Sequence, residues 1–207
     1  MGLTSFAPMF TKGWDIHISA CGSQREAEQK LRNLLSSPYW PVGLDDIPAK
    51  VTFHGFPEAT QHSPSLVLGD LSISWAPIAH PQGCCAYRFD DGSGTSLVIA
   101  TDMEWPEEKK MGIMESPLIK LMNRGEPVGL LVLDCQFDDQ EYKSRQGWGH
   151  SCPAHALEIV EAGKPGKTTL THHSPLHNDE FLDKLDRYCR SKGLQLARQN
   201  QSREVEA

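Results

Sequence analysis

Alternation of apolar and polar residues predicts several strands along the chain. Asp15 to Ala20 (D-I-H-I-S-A) alternates in the way that is typical of a strand. Cys84 to Phe89 and Ser96 to Thr101 are separated by D-D-G-S-G, which is a strong hairpin signal. Gly129 to Leu133 (G-L-L-V-L) is continuously apolar, as in a strand that is buried on both faces. Shorter strands are predicted at Val51–Phe53, at Leu66–Trp75 around a Gly-Asp turn, and at Lys167–Thr171.

Helix signals lie between these strands. Ser23 followed three residues later by Glu26 is a capping-box pattern, so we expect a helix to begin there. Residues 103–116 are polar and contain Pro106, which predicts a loop. Further helices are predicted at Leu118–Met122, at Ala154–Ala162 and after a cap at Asn178 or Asp179. Because strands and helices mix without regular β-α-β alternation, the pattern favours a layered α+β sandwich.

Composition is that of a soluble globular protein. The length of 207 residues suits one domain, predicted over residues 1–197, and the polar segment 198–207 is predicted to be a disordered tail. Hydrophobic residues make up 39% of the chain and charged residues 23%, which is enough for a core and ordinary for a surface. The net charge of −7 argues against strong nucleic-acid binding by bulk electrostatics.

The cysteine pattern and the lack of long apolar runs favour a cytoplasmic location for the protein. The six cysteines form no C-x-x-C pair and no signal-peptide pattern is present, so a disulfide framework is not expected. No apolar run approaches the length of a membrane span. We therefore expect a cytoplasmic protein without a membrane partner.

Polar residues able to bind a metal ion follow several of the predicted strands. Active sites gather at strand ends, where a rigid scaffold presents loop residues to solvent, and imidazole and carboxylate groups are suitable ligands for zinc. A single histidine after a strand is usually only a loop residue, however, and a single aspartate there is usually a turn former or helix cap. The spacing alone gives only a weak metal hypothesis, for which the candidate residues are His80, Asp102, Asp134, His150 and His172.

Five segments in order resemble the metallo-β-lactamase superfamily, in particular its phosphodiesterase branch of ribonuclease Z and cyclic-nucleotide phosphodiesterase-like proteins. The segments are P-I-A-H-P-Q-G-C-C-A-Y-R-F, S-L-V-I-A-T-D-M-E, L-L-V-L-D-C-Q-F, Q-G-W-G-H-S and T-L-T-H-H-S-P-L-H-N-D-E. No single segment is specific, but their order is. The resemblance implies an αββα sandwich of mixed β-sheets.

The resemblance also implies roles for the five residues. His80 and His172 would each bind one of two divalent metal ions, and Asp102 would bridge both. Asp134 and His150 would form a catalytic pair near the scissile phosphate, with Asp134 orienting the imidazole. The ions would be zinc, with manganese as an alternative, and a hydroxide bound to them would be the nucleophile.

One motif of the family is absent from the 207 residues: H-x-H-x-D-H, which supplies ligands to both metals. The resemblance begins at the stretch that directly follows this motif, so we expect an N-terminally incomplete fold, and Met1 is not established as the true start. With His80, Asp102 and His172 alone, neither ion reaches four protein ligands. We therefore expect weak or partial metal binding and little or no hydrolysis by this chain.

The sequence leaves three functions open. The first is a metal-dependent hydrolase of a small phosphodiester or nucleotide. The second is a hydrolase with the same fold that acts on a thioester or lactone, because one fold hosts many chemistries. The third is a degenerate, non-catalytic interaction module. Missing N-terminal strands would also leave an unpaired sheet edge, which would favour a homodimer.

Overall fold

The computed structural model describes residues 2–38, 40–56 and 66–202. The chain divides into two compact units, residues 1–58 and residues 59–207, which are described separately below. The sequence-based division into a domain over residues 1–197 and a tail stays a prediction.

The first unit combines two parallel strands with a helix. Strands β1 (Asp15–Cys21) and β2 (Lys50–Phe56) pair in parallel along their whole length, and helix α1 (Gln24–Leu34) lies in the connection between them. The predicted capping box is confirmed: the Ser23 hydroxyl accepts from the backbone N–H of Glu26, whose carboxylate accepts from the N–H of Ser23. Buried apolar side chains from the strands, the helix and the connecting segments form the core of this unit, among them Met9, Ala27, Leu31, Leu35, Ile47, Ala49 and Phe53.

In its described part, the second unit is built on a mixed sheet of seven strands. Their order in the sheet is the order in the chain: β3 (Leu66–Leu68), β4 (Leu71–Ile78), β5 (Cys84–Asp90), β6 (Ser96–Ala100), β7 (Leu130–Asp134), β8 (Lys167–Thr171) and β9 (Gln195–Leu196). The strands from β3 to β6 are joined as antiparallel pairs, and those from β6 to β9 as parallel pairs. The predicted α+β class with a large mixed sheet is thus confirmed.

Strand direction decides which strand ends meet. β4 is antiparallel to β5, and β5 is antiparallel to β6, so β4 runs in the same direction as β6, β7 and β8. The C-terminal ends of these four strands therefore lie along one edge of the sheet. Residues that directly follow them are brought together although they are far apart in the chain.

The described part of the second unit also contains the helices α2 (Trp105–Glu108), α3 (Pro117–Met122), α4 (Pro153–Gly163) and α5 (Asp179–Arg190). The central strand β7 is buried, with Leu131 and Leu133 fully inaccessible, and this explains the continuous apolar run in its sequence. Asn178 caps α5 through a side-chain bond from the N–H of Phe181, as predicted. Short 3-10 turns lie at Leu44–Asp46, Ile113–Glu115 and Glu141–Ser144 as well as in the N-terminal segments Gly2–Ser5 and Ala7–Phe10.

The loop predicted over residues 103–116 is wrong in its first part. Trp105 begins the one-turn helix α2, and its side chain is fully buried, with the indole N–H donating to Glu158 at 2.9 Å. Pro106 lies in the first turn of this helix, where a backbone N–H would have no hydrogen-bond partner within the helix, so the N–H that proline lacks is not needed. The proline that indicated a break therefore marks a helix start.

Asp186 on α5 joins that helix to the C-terminal segment. Its carboxylate is nearly inaccessible and accepts from the N–H of Leu196 at 3.1 Å, from Arg190 at 3.0 Å and from Arg198 at 2.9 Å. Burial raises the pKa of Asp186, but the bonds from Arg198, Leu196 and Arg190 outweigh it, so the pKa lies below its ordinary value of 3.8. Arg198, the first residue of the predicted tail, is thus anchored, whereas residues 203–207 lie outside the described part.

Among the helices described here, none has the length and apolarity needed to cross a lipid bilayer.

We expect Asp186→Asn to lower the free energy of unfolding at pH 7 by about 1.5–3 kcal/mol, because hydrogen bonds to a buried charge are lost. The pKa of Asp186 is lower in the folded state, so its contribution is present above the ordinary value of 3.8 and is lost as the pH falls through the folded-state pKa. Urea unfolding at several pH values should therefore show wild type and variant converging in acid. Asp183→Asn is the matched control, since Asp183 also pairs with Arg198 but its side chain is half exposed. Equal effects of the two substitutions at pH 7 would contradict the assignment.

Candidate metal centre

The five candidate residues converge at one edge of the large sheet. His80 follows the last residue of β4 by two positions, and Asp102 follows the last residue of β6 by two. Asp134 is the last residue of β7, and His172 follows β8 directly. His150 lies in the loop that leads from β7 to α4. The structure thus brings together all the residues that the sequence singled out, while their individual roles stay predictions.

The backbone turns sharply at two of these positions. Asp102 has φ of 70° and His172 has φ of 62°, in the left-handed region that non-glycine residues rarely adopt. Such conformations cost about 1–3 kcal/mol each and persist where the surrounding structure enforces them. The side chains at these two turns lie close together, with Asp102 Oδ2 3.7 Å from His172 Nδ1.

Asp134 is the buried carboxylate of the centre. Its side chain is fully inaccessible, and its Oδ2 accepts from the backbone N–H of Asp102 at 3.0 Å and lies 2.8 Å from His150 Nδ1. Its Oδ1 accepts from the N–H of Ser151 at 2.8 Å and from that of Gln136 at 3.3 Å. Burial raises the pKa of Asp134, and the bonds from His150 and Ser151 oppose that shift without cancelling it.

His150 is oriented by this carboxylate. Its Nδ1 faces Asp134, so the other ring nitrogen, Nε2, is left for an ion or a substrate. Burial lowers the pKa of His150, but the hydrogen bond and charge of Asp134, with the charges of Asp102 and Glu104, outweigh it and raise the pKa. The imidazole therefore holds its proton more firmly than a free histidine does.

Among the residues that the structure describes, two overlapping sets of side chains have the donor atoms and the spacing for a metal ion. In each set, one potential ligand atom per residue lies within 4.8 Å of the others: His80, Asp102 and His150 form the first set, and Asp134, His150 and His172 the second. Two imidazoles and one carboxylate are a suitable donor set for zinc or a related ion. The resemblance implied no ligand role for His150, yet it belongs to both sets.

Gly149 allows the His150 loop to approach His80. Its φ is +89°, and a Cβ built there would lie 2.4 Å from His80 Cδ2 and 2.6 Å from Pro81 Cδ. Those distances are far below van der Waals contact, so a side chain at this position would displace His80. The second glycine of G-W-G-H-S is therefore required by the packing of the centre.

Glu104 is a second buried carboxylate, which the sequence did not single out. It is 2% exposed and accepts from the N–H of Gly147 at 2.7 Å, from the N–H of Gly149 at 2.8 Å and from the hydroxyl of Tyr142 at 2.7 Å. Together with Asp134, it holds the loop that carries His150. The only sequence signal was an acidic residue between the apolar Met103 and Trp105.

We expect Glu104→Gln to loosen this loop. Glutamine offers one acceptor oxygen and turns an NH₂ donor toward backbone N–H groups, so the protein should lose about 1–3 kcal/mol of stability. Hydrogen–deuterium exchange of a peptide spanning residues 143–151 should become faster. Glu107→Gln is the matched control, because Glu107 is exposed and pairs with Lys110 on the surface. If Glu104→Gln left the exchange of this peptide at the wild-type rate, the positioning role of the carboxylate would be excluded.

Comparisons with known proteins identify the fold through structure. No protein-family model matches the sequence, and a search of the curated proteins finds no match. Solved structures do match. Unliganded yeast PDE1 superposes with a TM-score of 0.63 at 15% identity over 95% of this chain and 62% of its own length. The short form of human tRNase Z gives 0.58 at 14% identity over 92% of this chain and 68% of its own.

A third structure is described as a metallo-β-lactamase fold protein, YhfI from Bacillus subtilis. It matches with a TM-score of 0.51 at 19% identity over 87% of this chain and 62% of its own length. The chain thus spans about three fifths of the length of YhfI and of PDE1. These likenesses, together with the mixed sheet and the residues at its edge, show that the chain has the metallo-β-lactamase fold, as the sequence resemblance predicted.

Proposed function

We propose that this chain carries part of the active site of a metal-dependent hydrolase of phosphodiesters. The observation that carries the proposal is the convergence of His80, Asp102, His172 and the Asp134–His150 pair at one sheet edge of a metallo-β-lactamase fold. Residues that serve only to end strands or cap turns would not be expected to place two sets of potential metal ligands at the same sheet edge. The names tRNase Z and PDE1 among the similar structures support a phosphodiester substrate.

His80, Asp102 and His172 would hold the metal. A divalent ion in such a place supplies Lewis-acid activation and lowers the pKa of a water ligand toward about 7. Zinc is the proposed ion because imidazole and carboxylate ligands suit it, with manganese as the alternative. Asp102 belongs to the same metal-competent set as His80 and lies 3.7 Å from His172, which supports its role as a shared ligand.

The Asp134–His150 pair would act on the substrate. Asp134 fixes the direction of the imidazole through Nδ1, so Nε2 is the atom that can donate a proton to a phosphate or leaving-group oxygen. The side chain of His150 is 13% exposed and that of Asp134 is inaccessible, which suits one group that touches substrate and one that positions it.

We expect Asp102→Asn and His172→Ala each to weaken zinc binding by more than about tenfold, because even the loss of an outer partner of a ligand costs that much. Competition with a chromophoric chelator measures the affinity. His54→Ala is the control, since His54 is exposed and belongs to the first unit. Equal zinc affinity in wild type and both site variants would remove the metal role of these residues.

We expect the 207-residue chain to hydrolyse bis-p-nitrophenyl phosphate weakly or not at all, because its sequence contains no H-x-H-x-D-H ligands. A form extended upstream to include such a motif, if the reading frame encodes it, should be active. In the extended form, His150→Ala should lower kcat by about 10²–10⁴ as the loss of a general acid does. Lactone and thioester substrates assayed in parallel distinguish the alternative hydrolase from a phosphodiesterase. Robust zinc-dependent turnover by the 207-residue chain would contradict the expectation of an incomplete site.

A further inference from the structure

An exposed tryptophan lies two residues from the candidate catalytic histidine. The side chain of Trp148 is 60% exposed, although burying a large aromatic surface is favourable. Its neighbours in the sequence K-S-R-Q-G-W-G-H are polar or glycine, so it is not part of a continuous apolar run. The indole therefore lies at the surface beside the candidate active site and outside the core.

The backbone on both sides of Trp148 is fixed. The N–H groups of Gly147 and Gly149 both donate to the buried carboxylate of Glu104, at 2.7 and 2.8 Å. Both glycines have positive φ, 82° and 89°, so the backbone turns sharply on each side of the tryptophan. The indole is thus presented by a rigid loop, so a ligand that stacks on it does not have to order the backbone first.

The surroundings of the indole combine an aromatic ring with a cation. Phe137 meets Trp148 edge to face, with ring centroids 6.3 Å apart, and meets His150 in the same manner at 6.0 Å. The guanidinium carbon of Arg145 lies 5.0 Å from the centre of the Phe137 ring and 6.0 Å from that of Trp148. The buried ring of Phe137 therefore lies beside the indole, the guanidinium and the ring of His150, and of these neighbours the exposed indole and the partly exposed Arg145 are the groups that a ligand can reach.

We propose that Trp148 is a stacking platform for the nucleobase of a small nucleotide phosphodiester, with Arg145 beside it attracting the phosphate. Tryptophan faces and guanidinium groups are what proteins use to hold bases and phosphates. Such a ligand would place its base on the indole and its phosphodiester toward His150. The inference rests on the proposed hydrolase function and narrows its substrate to one that carries an aromatic base.

Binding to the full 207-residue chain, without added metal, tests the platform independently of hydrolysis. Equilibrium dialysis with labelled cyclic AMP, adenosine and dimethyl phosphate should show saturable binding of the first two only. Trp148→Ala should weaken both by roughly five- to hundredfold, as loss of one base–aromatic stack does, while Trp148→Phe should retain most of the affinity. Arg145→Ala should weaken cyclic AMP more than adenosine.

Trp14→Ala is the matched control, because Trp14 is 53% exposed but lies in the first unit. In the ¹H–¹⁵N spectrum, the indole signal that Trp148→Phe removes should shift on addition of adenosine. Wild-type affinity in Trp148→Ala would overturn the platform. So would a dimer in sedimentation that Trp148→Ala converts to monomer without any change in nucleotide binding, since the indole would then be a subunit contact.

Hydrolysis assays of the metal-loaded protein, in the upstream-extended form where the reading frame encodes one, separate the two proposals. Adenosine binding that depends on Trp148, without turnover of any phosphodiester, would refute the hydrolase and leave a nucleotide-binding surface. Turnover of bis-p-nitrophenyl phosphate with no contribution of Trp148 to cyclic AMP affinity or KM would refute the platform and leave the hydrolase. Failure of both measurements would refute both.

Discussion

A single buried carboxylate holds the candidate centre together. Asp134 cannot remain charged in an inaccessible position unless its oxygens are hydrogen-bonded, because burial of an unpaired carboxylate is too costly. The groups that satisfy it are the N–H of Asp102, the ring of His150, and the N–H groups of Ser151 and Gln136. These partners come from three different stretches of the chain. The need to satisfy the hydrogen bonds of this one carboxylate therefore fixes the relative positions of the loops that carry the candidate site residues.

Glu104 is a second buried carboxylate whose hydrogen bonds hold a loop of the candidate site in place. It lies two residues after Asp102, and its carboxylate accepts hydrogen bonds from the backbone N–H groups of Gly147 and Gly149, on either side of Trp148. Asp134 thus orients the imidazole that is proposed to act on the substrate, whereas Glu104 holds the loop that carries this imidazole and Trp148. The hydroxyl of Ser151 connects the two by donating to the carbonyl of Met103 while accepting from the N–H of Trp105. A polar network of this kind is stable only when its members are satisfied together.

The sequence predicted most of this framework because the relevant signals are local. Strand ends, the cap at Ser23 and the cap at Asn178 depend on neighbouring residues, and the resemblance supplied the order of the five site segments. Glu104 could not be found in this way, since its partners Gly147 and Gly149 lie more than forty residues along the chain. Helix α2 was missed because Pro106 has opposite meanings at the start and in the interior of a helix. The membership of His150 in both metal sets depends on side-chain distances, which no linear pattern encodes.

The framework is complete in hydrogen bonds before any ion is considered. Each oxygen of Asp134 has protein partners, and the carboxylate of Glu104 receives three protein donors. In a structural zinc site, by contrast, the metal supplies the free energy that folds the domain. Here a core that includes Leu131, Leu133 and Ile159 lies against the sheet, and the left-handed turn at Asp102 is held by the bond from its N–H to Asp134. Metal affinity and the free energy of unfolding of the second unit should therefore be largely separable.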